Sequence, residues 1–166
     1  MRIAMNRLAL PSIAAALTLA SPVSASITFA RGQWAALQFD ARCEARGRAL
    51  KNPRRPPAYA GFAFGPGGRP AGQFYAKLGR PARAGSTVIV TVGDQPFLLR
   101  GNGEWAWSRD ARQQAAIIAA ARYATGMRVE TRDTSGRRSI DRYPLDGAAT
   151  AIDAAAAACA QAGKKR

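Results

Sequence analysis

Polar and apolar residues alternate with a period of two in several short runs of this chain. The clearest run is 86–92, which is rich in β-branched residues and places Val88, Val90 and Val92 on one side. Such alternation is typical of a strand that buries one face. The same reasoning predicts further strands at 34–39, 59–64, 72–79, 96–100, 127–132 and 137–143.

Two later segments follow a helical pattern instead. Residues 111–125 are rich in alanine, and Asp110 with Gln113 resembles a capping box at their start. We expect Gly126 to follow this helix at the C′ position, where glycine is preferred. The second helix is predicted over 148–162, which is mostly alanine.

Glycine and proline clusters separate these elements. Residues 46–57 are basic and rich in proline, which predicts an exposed loop. Glycines at 65–68 predict a turn between strands, and Ser135-Gly136 predicts a hairpin turn. Short strands joined by turns, with two helices added in the C-terminal half, predict a mainly β fold, either a β-sandwich or a partial barrel.

The first 25 residues have the pattern of a cleavable secretory signal peptide. Two arginines precede an apolar run at 8–20, and the small residues Val23 and Ala25 suit the −3 and −1 positions of a cleavage site. The run is broken by a proline and is shorter than the roughly 20 apolar residues that span a membrane. We therefore expect cleavage between Ala25 and Ser26, and a periplasmic or secreted protein.

After cleavage a single domain, 26–166, would remain, with no transmembrane span. It contains both cysteines of the chain, Cys43 and Cys159. In an oxidising compartment two cysteines allow one pairing, which would link the end of an early strand to the last helix. The alternative is two free thiols. No Cys-x-x-Cys motif is present, so the sequence does not support a redox role.

The chain is strongly basic, with 25 Lys and Arg against 10 Asp and Glu and a formal net charge of +15. Such a charge attracts anionic partners. An equally good explanation is compositional, because abundant arginine and alanine can also reflect a GC-rich genome. We expect anionic envelope or host-surface molecules as partners rather than nucleic acid.

The predicted hairpin over 127–143 offers a candidate anion-binding face. Its even positions carry four arginines, interrupted by Glu130 and Ile140, and the four are Arg128, Arg132, Arg138 and Arg142. Guanidinium groups bind phosphates and carboxylates through paired hydrogen bonds. The alternative is a solvated strand face on which these arginines pair with neighbouring acids.

The residues that most catalytic sites need are scarce. The chain has no histidine, which excludes Ser-His-Asp and Cys-His arrangements and nearly all zinc and copper sites. Asp133 and Asp141 are expected to face each other across the hairpin, which is the nearest approach to a paired-carboxylate site. The alternative is surface ion pairing with Arg132 and Arg142.

Two functions therefore stay open. The first is a non-catalytic envelope or secreted binding domain, and the second is a carboxylate-dependent hydrolase that acts on an envelope polymer. We favour the first, with no enzymatic activity, no cofactor and no metal. Trp105 and Trp107 project from the same side of a predicted strand. They either stack on a ring ligand or close one end of the core.

An ordered set of motifs in the second half resembles the invasion-associated locus B family. Its members here are Trp105, Trp107, Asp141, Tyr143, Gly147 and the late cysteine Cys159. The resemblance implies a periplasmic or secreted bacterial domain with an immunoglobulin-like β-sandwich, no enzymatic activity and, in some pathogens, a link to host-cell invasion. It implies structural roles for the motif residues. Pro144 and Ala148 depart from the family pattern.

Overall fold

A computed structural model of the protein describes residues 25–40, 42–53 and 56–164. The predicted signal peptide lies outside these ranges except for Ala25. The described chain forms one antiparallel sheet of ten strands and two helices. The predicted mainly β fold with two helices in the C-terminal half is thus confirmed.

The elements follow one another with short turns. In chain order they are β1 (Ser26–Arg31), β2 (Trp34–Gln38), β3 (Cys43–Arg48), β4 (Tyr59–Phe64), β5 (Ala71–Lys77), β6 (Val88–Val92), β7 (Gln95–Asn102), β8 (Trp105–Trp107), α1 (Ala111–Tyr123), β9 (Gly126–Arg132), β10 (Arg138–Pro144) and α2 (Ala148–Lys164). The order across the sheet is β1-β2-β3-β4-β5-β8-β7-β6-β9-β10. This single pairing order does not confirm the sandwich topology, which stays a prediction.

Strand β7 divides the sheet into two halves, because its first part pairs with β6 and its last three residues pair with β8. The sheet curls so that β10 approaches the segment after β3. The Leu50 N–H donates to the Arg142 carbonyl at 2.8 Å, and the Trp34 indole donates to the Pro144 carbonyl at 2.8 Å. The inner side of the curled sheet encloses the core.

Period-two alternation decides which side chains enter that core. The largest fully buried side chains include Trp34, Tyr143, Phe62, Phe74, Ile117, Ile152, Val88, Val90, Val92 and Val129. Helix α1 supplies Ile117 and helix α2 supplies Ile152 and Cys159 to the same cluster. The inward parity predicted for 86–92 and for 127–132 is confirmed.

The predicted disulfide is present. Cys43, the first residue of β3, is bonded to Cys159 in α2, with 5.6 Å between the Cα atoms and 116 residues between them in sequence. Both cysteines are buried. The bond therefore holds the C-terminal helix against the inner face of the sheet.

Two sequence predictions are wrong in their boundaries. Residues 46–48 belong to β3 rather than to a loop, because Cys43, Ala45 and Gly47 alternate with charged residues and pair with β2 and β4. Gly126 is the first residue of β9, since α1 ends earlier at Tyr123. Alternation with small residues is a weak strand signal, so the sequence pattern does not predict β3.

The predicted N-terminal cap of α1 is confirmed with one difference. The Gln113 N–H donates to Asp110 Oδ1 at 2.8 Å, as in a capping box. The Gln113 side chain, however, accepts from the backbone N–H of Arg109 at 2.8 Å rather than from that of Asp110. The side chain of Asp110 thus satisfies the Gln113 N–H, a first-turn donor, which sets where the helix begins.

Candidate functional sites

The structure brings the four arginines of the predicted anion-binding face together. In the pairing of β9 with β10, Arg128 lies opposite Arg142 and Arg132 lies opposite Arg138. All four side chains are exposed, because their strand neighbours point into the core. We call this surface, Arg128, Arg132, Arg138 and Arg142, the arginine face.

One carboxylate lies within the arginine face. Arg138 donates hydrogen bonds to both carboxylate oxygens of Glu130, from Nε at 2.7 Å and from Nη2 at 2.9 Å. The Nε atom of Arg128 lies 3.7 Å from Glu130 Oε2. The hydrogen bonds from Arg138, together with the charges of Arg138, Arg128 and Arg142, lower the pKa of the Glu130 carboxyl. Glu130 is thus ionised at neutral pH, and the face carries four positive charges against one negative charge.

Asp133 organises the turn between β9 and β10. Its Oδ1 accepts from the Ser135 hydroxyl at 2.6 Å, from the Ser135 N–H at 3.0 Å and from the Arg137 N–H at 3.0 Å. The hydrogen bond from the Ser135 hydroxyl, followed by the backbone bonds, lowers the pKa of Asp133. This network holds the hairpin that presents the arginine face.

The predicted facing of Asp133 and Asp141 is wrong. Asp141 pairs with Val129, which lies four residues before Asp133 and therefore roughly 13 Å along the strand. Both aspartates are buried, with 4% and 7% of their surface exposed, and Asp133 Oδ2 lies 3.9 Å from Arg80 Nη1 and 3.9 Å from Arg137 Nε. Asp141 accepts from the Gly79 N–H at 2.8 Å and so anchors the loop after β5.

The remaining motif residues occupy structural positions. Tyr143 is 1% exposed, and its hydroxyl has no hydrogen-bond partner among the described residues. Burial, and secondly the charge of Asp141, raises the pKa of Tyr143. Gly147 precedes α2 with a φ of +84°, and a Cβ there would lie 2.8 Å from the carbonyl oxygen of Arg31. Glycine is therefore required at this turn.

A second surface, which the sequence did not reveal as a unit, lies on the outer side of β3, β4, β5 and β8. Its aromatic members, which we call the aromatic face, are Phe39, Tyr59, Tyr75, Trp105 and Trp107. The Trp105 and Trp107 rings are 12° from parallel with 6.4 Å between centroids, and Tyr59 meets Trp105 edge-on at 5.8 Å. All except Tyr75 are half-buried.

A buried carboxylate holds the aromatic face in place. Glu44 is 4% exposed and accepts hydrogen bonds from the Tyr75 hydroxyl at 2.6 Å and from Arg46. Arg42 Nε lies 2.8 Å from the other Glu44 oxygen. Burial and the neighbouring Glu44 charge raise the pKa of Tyr75, so its hydroxyl stays a donor. A paired and hydrogen-bonded charge is the form in which a buried carboxylate is tolerated.

Arg46 joins this network to the rings. Its guanidinium carbon lies 4.9 Å from the centroid of Tyr59 and 6.0 Å from that of Phe39. Although burial works in the opposite direction, Tyr75 and Glu44 raise the pKa of Arg46. Gly61 opens the space, since a Cβ there would lie 2.7 Å from the Tyr75 hydroxyl. The alternation of charged and small residues at 43–48 is the signal that could have located this site.

A cavity of about 740 Å³ adjoins the aromatic face. Its lining includes Arg48 of β3, Tyr59 of β4 and Asp141 of β10, together with Leu50 and Pro56 from the segment between β3 and β4. In the ranges that the structure covers, no group of three or more Cys, Asp or Glu side chains is placed to hold a metal ion. No helix within those ranges is long and apolar enough to cross a membrane.

Comparison with known proteins found no counterpart of this chain. No family model matches it, and neither a curated protein nor a solved structure does. The resemblance to the invasion-associated locus B family therefore rests on the motif residues of the chain itself.

Proposed function

We propose that the protein is an exported, non-catalytic binding domain of the bacterial envelope or extracellular space. Its arginine face binds anionic molecules. The observation that carries the proposal is the gathering of four exposed arginines around a single carboxylate on two paired strands. Guanidinium groups hold phosphate and carboxylate groups through paired, charge-assisted hydrogen bonds.

Export is supported by two independent features. The pattern of residues 1–25 is typical of a cleaved signal peptide. The Cys43–Cys159 disulfide is typical of proteins that fold in an oxidising compartment such as the periplasm. The family resemblance supports the same location and extends the proposal to a role in host-cell invasion.

The shape of the arginine face favours an extended anionic partner. Arg128 and Arg138 have 45% and 61% of their side-chain surface exposed although they flank Glu130. The arginines lie along two adjacent strands, an arrangement that suits repeated anionic groups such as lipid head groups or the carboxylates and sulfates of an acidic glycan. Contacts of this kind weaken with salt, because exposed charges are screened over about 8 Å at physiological ionic strength.

The test compares binding of the full domain to heparin and to vesicles with and without anionic lipid, at rising salt concentration. The informative variant is Arg132→Glu with Arg142→Glu. Each substituted position lies opposite a remaining arginine, Arg138 or Arg128, so the new cross-strand pairs are attractive and the fold is expected to keep its stability. This variant also leaves the Arg138–Glu130 pair intact.

The matched control carries the same change of charge on another element. Arg109 and Arg112 are exposed at the start of α1, where acidic residues are tolerated, so Arg109→Glu with Arg112→Glu is suitable. We expect the strand variant to lose most of its binding and the helix variant to lose little. Equal binding by the strand variant and the unmodified protein would show that the arginine face is ordinary solvated surface.

A further inference from the structure

The aromatic face has no part in the anion binding that we propose for the arginine face. Strand alternation directs Tyr75, Trp105 and Trp107 away from the core, and both described helices contribute their buried side chains to the opposite side of the sheet. On this side of the sheet the rings contact one another. Grouped aromatic side chains at a protein surface typically mark a binding site.

The geometry of this face is fixed before any ligand arrives. Tyr75 lies over Gly61 and is held by Glu44, while Arg46 lies against Tyr59. Trp105 contacts three other rings of the face. Rigid aromatic groups lose little conformational entropy on binding, so a preorganised set of this kind favours affinity.

The charges beside the rings narrow the class of ligand. Glu44 pairs with both Arg42 and Arg46, and Lys77 Nζ lies 3.6 Å from Glu104 Oε2, while the exposed Arg100 lies opposite Trp107. A surface built for nucleic acid presents a continuous set of cations that neutralise phosphates, whereas here two carboxylates lie among the cations beside the rings. Glu104 is 52% exposed and would repel a phosphate backbone.

A saccharide chain fits both the aromatic rings and the mixed charges beside them. The carbon-bound hydrogens of a sugar ring pack on aromatic faces, and its hydroxyls both donate to carboxylates and accept from guanidinium and ammonium groups. We infer that the aromatic face is a saccharide-binding surface, separate from the arginine face, in which Tyr59, Trp105 and Trp107 contact sugar rings and Arg46, Lys77 and Glu104 bind hydroxyls.

Tryptophan fluorescence gives a direct test with the full domain. Of the three tryptophans, Trp34 is 1% exposed in the core, so a ligand at the face changes the emission of Trp105 and Trp107 alone. The probes are tetrasaccharides of N-acetylglucosamine, of β-linked glucose and of α-linked glucose, with single-stranded oligothymidine as the competing class. We expect at least one tetrasaccharide to change the emission in a saturable way.

Variants then locate the site. Trp107→Leu should weaken that binding by up to about tenfold, because the contact of one ring with an aromatic side chain contributes that order of affinity. Tyr123→Leu, at an aromatic residue of α1 that is 89% exposed, is the matched control and should bind normally. Arg132→Glu with Arg142→Glu should also bind the sugar normally, which separates this result from the test of the arginine face.

Two results would overturn the inference. The first is that no tetrasaccharide binds, whether or not oligothymidine binds at the face. The second is sugar binding that Trp107→Leu leaves unchanged. If Trp107→Leu does not fold, as judged by circular dichroism, Tyr59→Leu is the deciding variant, and normal sugar binding by it has the same consequence.

Discussion

The Trp34 indole donates a hydrogen bond of 2.8 Å to the carbonyl oxygen of Pro144, 110 residues later in the chain. This bond joins the start of β2 to the last residue of β10. The indole also lies against Gly47, where a Cβ would be 2.5 Å from the ring, and stacks on Phe62 at 6.1 Å between centroids. One side chain thus connects the two halves of the sheet.

Trp34→Phe should therefore lower the free energy of unfolding by roughly 2–4 kcal/mol, because it leaves the Pro144 carbonyl unpaired and a void beside Gly47. Urea unfolding measures the change. Trp105→Phe, the same substitution at a half-buried position, should cost less than about 1 kcal/mol. Equal losses at the two positions would contradict the role of the Trp34–Pro144 bond.

The disulfide should contribute substantially to stability, since it closes a loop of 116 residues. Cys159→Ala should lower the free energy of unfolding by roughly 2–5 kcal/mol. Cys43→Ala combined with Cys159→Ala should be destabilised to a similar extent, because either change removes the same bond. Titration of the denatured, unreduced protein should find no free thiol, and two reactive thiols would refute the bond.

The Asp133 network predicts a dependence of stability on pH. Because its hydrogen bonds lower the pKa of Asp133 in the folded state, its contribution is present above the ordinary aspartate value of about 4 and is lost as the pH falls through the folded-state pKa. Asp133→Asn should have a lower melting temperature than the unmodified protein at pH 7. Below about pH 4 its melting temperature should fall less steeply than that of the unmodified protein.

Ser135→Ala removes one donor to Asp133 and should change the melting temperature in the same direction by a smaller amount. A wild-type pH profile in Asp133→Asn would show that this carboxylate does not stabilise the hairpin.

Gly61 should be the most sensitive position of the aromatic face. Gly61→Ala would place a Cβ 2.5 Å from the Ala45 carbonyl and 2.7 Å from the Tyr75 hydroxyl, so Tyr75 must move from Glu44. We expect a loss of roughly 1–3 kcal/mol in unfolding free energy. In Gly126→Ala, where the nearest atom is 3.9 Å away, little change is expected. A Gly61→Ala protein as stable as the unmodified protein would disprove this packing.

If the protein is exported as we propose, processing should leave Ser26, the first residue of β1, at its N-terminus. The small residues Val23 and Ala25 suit the −3 and −1 positions of a signal peptidase site, so we expect cleavage between Ala25 and Ser26. Intact-mass measurement of periplasmic or secreted material shows whether the mature chain begins at Ser26. A full-length chain retained in the inner membrane would show that the segment is not cleaved.

Local pattern alone determined much of the strand content and one surface. Alternation assigned the inward parity of Val88, Val90 and Val92, and it placed Arg128 and Arg142 on the same side of their hairpin. These predictions succeeded because side chains of a strand alternate between its two faces whatever the strand pairs with. The disulfide followed from the presence of only two cysteines.

The tertiary structure alone decided which strands are neighbours and what their outer faces share. Strand β8 lies between β5 and β7, and this order brings Trp107 beside Tyr75. The pairing of β3, β4 and β5 in turn brings Tyr75 to Glu44, 31 residues away in sequence. Alternation sets the side on which a residue lies but carries no information about register between distant strands, because that register depends on packing of the whole core.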